Sequence, residues 1–374
     1  MHSHRAPIAL AWLALLGACA PPDGPYATSP SSLSAALADS AALRVLTINA
    51  RARFDRWRDR FPLVADEIVR LSPHLVALQE VTVGAGQHDA LQKYIAARSP
   101  GGVSPYAVYG EQGDMGGNVI LSRLPLLARA RHDLSNGRIA IMVHVALDNG
   151  ATLRVFNTHL HHVRDDEAVR TQQISDVLGW IDARVGDDAA LLLGDLNSEP
   201  DTTTLARLRA AGFTDTYLAV HGASATQSWG ATFPIKLADG AFEQSPTRRI
   251  DYVLARDARA SKRLLLDDAR LALRNHDSKG LYPSDHLAVM ATLRMLALPA
   301  AEPDAAASAD LGAFATPDSG GSAGQATPPA PASRRAPRSL GAGCGVAPRA
   351  LPSLRVLPTL LLVLALLFAR RRQR

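Results

Sequence analysis

The stretch LLLGDLNSEP, residues 191–200, is three leucines and a glycine running into Asp195, Leu196, Asn197 and a turn closed by Pro200. An unbroken apolar run of this length reads as a strand buried on both faces, the kind found in layered α/β domains. Yet it ends by offering a carboxylate and a carboxamide two residues apart. In an extended chain residues i and i+2 point to the same side, so the spacing predicts that Asp195 and Asn197 converge on one point with Leu196 turned back into the core. The carboxylate can take a proton from a water while the amide orients that water or holds a substrate oxygen. A base alone has no need of the amide.

Other strand-like runs finish in the same way. Short apolar segments recur at residues 43–50 (LRVLTINA), 75–81 (LVALQEV), 117–122 (GNVILS), 140–147 (AIMVHVAL), 153–160 (LRVFNTHL), 190–196 (ALLLGDL), 249–255 (RIDYVLA) and 287–295 (LAVMATLRM). Between them, residues 61–71 and 169–184 carry apolar side chains at spacings of three and four, the period of an amphipathic helix. So many strands in one domain predict two packed layers with helices outside. Asn49, Glu80, His159, Asp195 with Asn197, and Asp285-His286 stand at strand ends, and Asp251 lies inside RIDYVL. Each singly has an ordinary explanation, since Asn and Asp cap turns and a lone histidine is commonly structural. Their repetition at the border between buried strand and solvent points to a site.

Charge divides the 374 residues into a core and two ends. Residues 43–297 hold 30 Lys+Arg against 29 Asp+Glu, residues 1–42 hold 1 against 2, and residues 298–374 hold 9 against 4, which together give the net +5. The basic excess belongs to the tail, so it is no evidence for a nucleic-acid track on the core. Residues 1–19 read as a targeting segment: Arg5 precedes an apolar run from Ile8 to Leu16, then Leu16-Gly17-Ala18-Cys19 supplies the small residues of a processing site. Residues 20–42, rich in Ala, Pro and Ser, are expected to form a tether. Residues 298–350, dominated by Ala, Pro, Ser and Gly, bury too little apolar surface to fold. Residues 351–374 hold an apolar run (356–369) closed by RRRQR, a marginal membrane span with Arg355 snorkelling. Cys19 and Cys344, the two cysteines, lie outside the core and leave it neither a disulfide nor a thiolate metal site.

The motifs TIN (47–49), LQEV (78–81), GNVILSRLP (117–125), NTHL (157–160), GDLN (194–197), RIDYV (249–253) and SDH (284–286), in that order, resemble the endonuclease/exonuclease/phosphatase superfamily. That group includes deoxyribonuclease-like and abasic-site nucleases, inositol polyphosphate 5-phosphatases and bacterial sphingomyelinases. The resemblance spans residues 43–297 and implies a four-layer α/β sandwich, two mixed sheets face to face between outer helices. At the ends, Leu16–Cys19 resembles the lipobox of bacterial lipoproteins, in which the cysteine is lipidated. Cys344, the apolar run and the Arg cluster resemble a MYXO-CTERM type of sorting tail. Both imply an exported protein anchored in the membrane of a bacterial cell envelope.

Hydrolysis of a phosphate ester requires that the site neutralise a charge that repels hydroxide, activate a water and protect the leaving oxygen. Glu80 is a candidate Mg²⁺ ligand, because Mg²⁺ prefers one or two carboxylates and keeps its other positions for water and phosphate oxygens. The resemblance adds Asn49 and Asp285 to that cluster, with Mn²⁺ as the alternative ion. It gives Asp195 the water-activating role with Asn197 as partner, a second metal there being the competing assignment. His286 and His159 are expected to hydrogen-bond phosphate oxygens, a task for donors with pKa near neutrality. Asp251 matches the position that pairs with the histidine of SDH. Where the usual acidic partner of His159 lies on the middle strand, this chain has Asn118. Asn118 and Arg164 are candidate substrate contacts, and His161 and His162 read as loop residues.

Aromatic residues make up 5% of the chain, a poor basis for stacking bases. A phosphodiesterase or phosphomonoesterase acting on lipid head groups or small phosphoesters is therefore expected ahead of a surface nuclease acting on DNA or RNA. A non-catalytic surface binding module is the third class. The metal and base positions are all filled, which favours catalysis.

Overall fold

The computed structural model describes residues 42–223, 229–237, 245–258 and 264–296. The targeting segment, the tether, the linker and the C-terminal apolar run, with Cys19 and Cys344, lie outside these residues. Among the described residues no helix is long and apolar enough to cross a membrane.

In chain order the elements are β1 (Ala42–Asn49), α1 (Trp57–Leu71), β2 (Leu75–Val81), α2 (Gln87–Ala96), β3 (Ala107–Gly113), β4 (Gly116–Ser122), β5 (Leu126–Asp133), β6 (Ile139–Ala146) and β7 (Thr152–His159). They continue with α3 (Glu167–Val185), β8 (Ala189–Asp195), α4 (Thr203–Ala210), β9 (Thr214–Asp215), α5 (Thr216–His221), β10 (Asp251–Arg256), β11 (Leu264–Ala272) and β12 (Ala288–Met295). The strands form two six-stranded sheets, ordered β11-β12-β1-β2-β4-β3 and β5-β6-β7-β8-β10-β9. Each is mixed: β1 and β2 run parallel in the first, β7 and β8 in the second, and the remaining pairs are antiparallel. The eight predicted strands are the four central strands of each sheet.

Three apolar layers hold the sandwich. Val45, Ile120, Val143, Leu191, Leu193 and Val253 meet between the sheets. Phe61, Val64 and Ile68 of α1 cover Leu46, Ile48 and Leu78 on the outside of the first sheet. Ile174, Val177 and Ile181 of α3 cover Phe156, Leu192 and Leu254 outside the second. The run at 191–193 is continuous because its odd members face the other sheet and Leu192 faces the helices, so both faces of β8 are buried.

Register gathers the strand ends at one pole. Asp195 is the Cα partner of His159 on the parallel strand β7 and of Asp251 on the antiparallel strand β10. Asn49 ends β1 opposite Gln79 of β2. The glycine before Asp195 is required by packing: Gly194 has φ +151°, and a Cβ there would sit 2.0 Å from the carbonyl oxygen of Thr158.

Candidate active site

Two local departures from regular strand aim the side chains. The register of β2 against β4 shifts between Leu78 and Val81, and Glu80 in that bulge has φ +51°. The bulge turns the Glu80 carboxylate to accept from Asn49 Nδ2 at 3.1 Å. Asn197 is likewise left-handed, φ +50°, and lies past the end of β8. Its convergence with Asp195 therefore comes from a turn rather than from the strand alternation predicted above. The Asn197 backbone N–H donates to Asp195 Oδ1 at 3.0 Å, and its Nδ2 donates to the Leu160 carbonyl at 3.2 Å and lies 3.0 Å from His159 Nε2. Leu196 does turn into the core, fully buried.

Asp195 is the centre of the cluster and is 1% exposed. Asn49 Nδ2 donates to its Oδ2 at 2.9 Å, joining the ends of β1 and β8 across the two sheets. His159 Nε2 and His286 Nε2 lie 3.4 and 3.9 Å from that same oxygen. Behind His286, its Nδ1 meets Asp251 Oδ2 at 2.9 Å, and Phe233 packs on the imidazole at 4.6 Å between ring centres. Beneath these groups is a polar floor that the sequence reading did not include: Gln79 Nε2 donates to Asn157 Oδ1 at 2.7 Å across the sheet interface, and Asn157 Nδ2 donates to the carbonyls of Leu78 and Val119.

Burial and neighbours set the charges. Burial, reinforced by the adjacent Asp251 carboxylate, raises the Asp195 pKa to about 7, into the range of a general base at neutral pH. For His286 burial alone would lower the value, but the carboxylates of Asp251, Asp195 and Asp285 outweigh it and raise it to about 10, so the imidazolium persists. His159 goes the other way. Burial, with Arg138 and His286 as neighbouring cations, holds it well below the usual histidine range, and it is neutral where near-neutral titration was expected. An unprotonated Nε2 is what a donating Asn197 Nδ2 requires.

The donors that could hold a divalent cation are hard oxygens. Glu80 and Asp285 supply carboxylates and Asn49 a carboxamide, and the Arg51 guanidinium bonds to Asp285 and Asp55. Burial opposes the Arg51 charge, but Asp285, Asp55 and Glu80 outweigh it, so positive charge is already favoured among these groups. That chemistry fits Mg²⁺ or Mn²⁺ once Arg51 yields Asp285. Asp195, Asp251 and His286 also offer ligand atoms within 4.8 Å of one another, a second place that could hold a metal ion.

Of the remaining predicted residues, Asn118 is buried on β4 and donates to the Ile139 carbonyl at 2.9 Å. Arg164 is exposed, with its own carbonyl accepting from Arg170 Nη2 at 2.7 Å. Arg138, absent from the sequence reading, is 5% exposed just before β6. It donates to the Met115 carbonyl and contacts His162 Nδ1 at 3.2 Å, while its Nε has no hydrogen-bond partner. Burial lowers its pKa against the opposing pull of Asp195 and Glu80. Its sequence signal is weak, an arginine at the start of an apolar strand.

Known proteins share this architecture. The D. rerio TDP2 structure in complex with single-strand DNA product is 18% identical, with a TM-score of 0.54 over 68% of this chain and 99% of that one. The human nocturnin catalytic domain with bound sulfate gives 17% and 0.53 over 68% and 94%. A mannosyl-6-phosphatase of Bacteroides thetaiotaomicron gives 17% and 0.52 over 67% and 99%. At these identities they establish the fold. No curated protein matches the chain. Residues 46–286, from within β1 to the histidine before β12, match the family model, and the chain belongs to the endonuclease/exonuclease/phosphatase family, whose members hydrolyse phosphoester bonds.

Proposed function

We propose that the protein is an exported, membrane-anchored, Mg²⁺- or Mn²⁺-dependent phosphoesterase that hydrolyses phosphodiester or phosphomonoester bonds of lipid head groups or small phosphoesters. The observation that carries the catalytic reading is the buried Asp195 carboxylate, raised to about 7 and placed between Asn49 and the His286–Asp251 pair. In this reading Asp195 accepts a proton from the attacking water, which the Asn197 amide helps to orient. His286, kept protonated by Asp251, donates from Nε2 to a phosphate oxygen, and Arg138 adds a second cation to the field of the site. Neutral His159 fixes the Asn197 amide. Asn49, Glu80 and Asp285 would hold the divalent ion, whose charge offsets that of the phosphoryl group and the leaving oxygen.

Export and anchoring rest on the lipobox-like residues 16–19 and on the apolar run and Arg cluster at 356–374. The substrate order rests on the balanced core, 30 basic against 29 acidic residues over 43–297, which leaves little surplus for tracking a nucleic-acid backbone. The test uses fragment 40–300 with bis-p-nitrophenyl phosphate, then with phospholipid, inositol phosphate, nucleotide and DNA. Hydrolysis should require Mg²⁺ or Mn²⁺, stop with EDTA, and change less than about tenfold between 50 and 200 mM salt, where a nuclease making many phosphate contacts would collapse. Activity indifferent to EDTA refutes the metal assignment, and a steeply salt-dependent preference for DNA refutes the substrate order. Loss of N-terminal lipid in Cys19→Ser, followed by mass spectrometry, tests the anchor; lipid that persists points to Cys344.

A further inference from the structure

Immediately after Asn49 the chain makes a loop that is held with unusual rigidity. Buried Arg60 donates to the carbonyls of Ala50, Arg51, Ala52, Phe54 and Asp55 and to that of Pro283. Gln87 Nε2 adds a bond to the Ala52 carbonyl at 2.7 Å, and the Ala52 N–H donates to the Glu80 carbonyl at 2.7 Å. Four of its residues, Arg51, Ala52, Asp55 and Arg56, have positive φ, between 40° and 56°. Non-glycine residues held in the left-handed region cluster at functional sites. What the loop displays is Phe54, 65% exposed, flanked by exposed Arg53, Arg56 and Arg58.

The loop lines a cleft of about 400 Å³ that the candidate metal ligand Asp285 also lines. Arg51 and Asp55 are the loop's contribution to it, and Phe233, Pro234 and Leu237 give it an apolar wall. Two other loops expose apolar tips, Met115 and Val163, but Asp114 precedes the first, and Arg164 is followed by Asp165 and Asp166 at the second, so neither carries a basic surplus. Around Phe54, Asp55 pairs with Arg51 and Asp59 with Arg56, which leaves Arg53 and Arg58 as the basic surplus of this loop.

We propose that residues 51–58 dock the domain on a phospholipid–water interface, with Phe54 entering the apolar boundary and Arg53 and Arg58 against head-group phosphates, while Arg56 stays paired with Asp59 at 2.9 Å. An amphiphilic phosphoester would then reach Asp195 along the apolar-walled cleft. An exposed aromatic ring beside cations is the composition of an interfacial anchor. A single-stranded nucleic acid fits less well, since stacking needs a series of rings and these three loops expose one Phe, one Met and one Val. The proposal rests on the lipid branch of the proposed function.

The test compares fragment 40–300, which contains all three apolar layers and corresponds to the full solved TDP2 chain, with its variants. Flotation with phosphatidylglycerol/phosphatidylcholine vesicles should recover the parent fragment. Phe54→Ser should weaken partitioning about tenfold, the scale of one interfacial aromatic side chain. The pair Arg53→Gln/Arg58→Gln should remove the preference for phosphatidylglycerol over phosphatidylcholine. Both variants should keep the parent rate on soluble bis-p-nitrophenyl phosphate, which separates a docking defect from failure of the catalytic reading. Absence of vesicle binding by the parent, or equal binding by Phe54→Ser, overturns the proposal. Variants that lose rate on single-stranded DNA while floating normally would overturn it too and make the loop a nucleic-acid contact.

Discussion

His159 and His286 are equally buried, each 5% exposed, and both approach the same oxygen of Asp195, yet they carry opposite charge states. Behind His286 stands the Asp251 carboxylate at 2.9 Å; beside His159 stands the Asn197 carboxamide at 3.0 Å. The contacting Asp251 carboxylate is the largest of the three that together reverse the effect of burial at His286, and none of comparable effect stands behind His159. The same residue type thus serves as a proton-bearing donor on one side and as a positioning group on the other.

The strongest blow to this division would come from Asp195, on which both histidines depend. Asp195→Asn should lower kcat on a soluble diester by roughly 10²-fold or more, the scale of a lost general base, with little change in melting temperature. Near-normal turnover would remove the base assignment. His286→Ala should cost about 10²-fold as a lost cationic donor, and Asp251→Asn/His286→Ala should be little worse than His286→Ala, since Asp251 acts through the imidazole. Additive losses would break the pair.

On the other side, His159→Ala should cost only about five- to tenfold, the scale of one neutral hydrogen bond. Nitrogen chemical shifts should show its ring neutral at pH 6; a titration near pH 7 would erase the contrast between the two histidines.

The pH profile tests the charges directly. kcat/KM should rise through about pH 7 as Asp195 loses its proton and fall near pH 10 as His286 loses its own. Asp251→Asn removes an anion that raises both values, so both limbs should move to lower pH. A falling limb that stayed in place would show that Asp251 does not hold the proton on His286.

The smallest effect concerns Asn118, which stands where the resemblance leads one to expect an acidic partner for His159. Asn118→Asp replaces a donor to the Ile139 carbonyl with an acceptor facing an acceptor, and should cost about 1–3 kcal/mol of stability in denaturant unfolding. A stable variant with a newly protonated His159 would instead supply that partner.

How far the fold was legible depended on position within each sheet. The central strands β1, β2, β4, β12 and β6, β7, β8, β10 pack on both faces and announce themselves as predominantly apolar runs. The four edge strands β3, β5, β9 and β11 were missed, because AVYGEQG, LLARARHD and LLLDDARLA mix charge into half-solvated faces and β9 is two residues long. Helix α2, ten residues long, and α4, eight residues long, were missed because neither is long enough to repeat the apolar period over several turns.

By itself the sequence determined which residue types stand at the ends of buried strands, the sandwich, the family and the members of the Asp195 cluster. Burial on two faces leaves an apolar signature that ends where polar groups begin, which gives two packed layers and the site residues; the family and the four-layer sandwich follow from the resemblance that the seven ordered motifs carry. Only the tertiary structure decided how those groups meet: the bulge that aims Glu80, the left-handed turn that brings Asn197 onto Asp195, and the arrival of Arg138 beside them. It alone set the two histidines apart, since protonation in a buried site is fixed by atoms 3–4 Å away that belong to strands far apart in the chain.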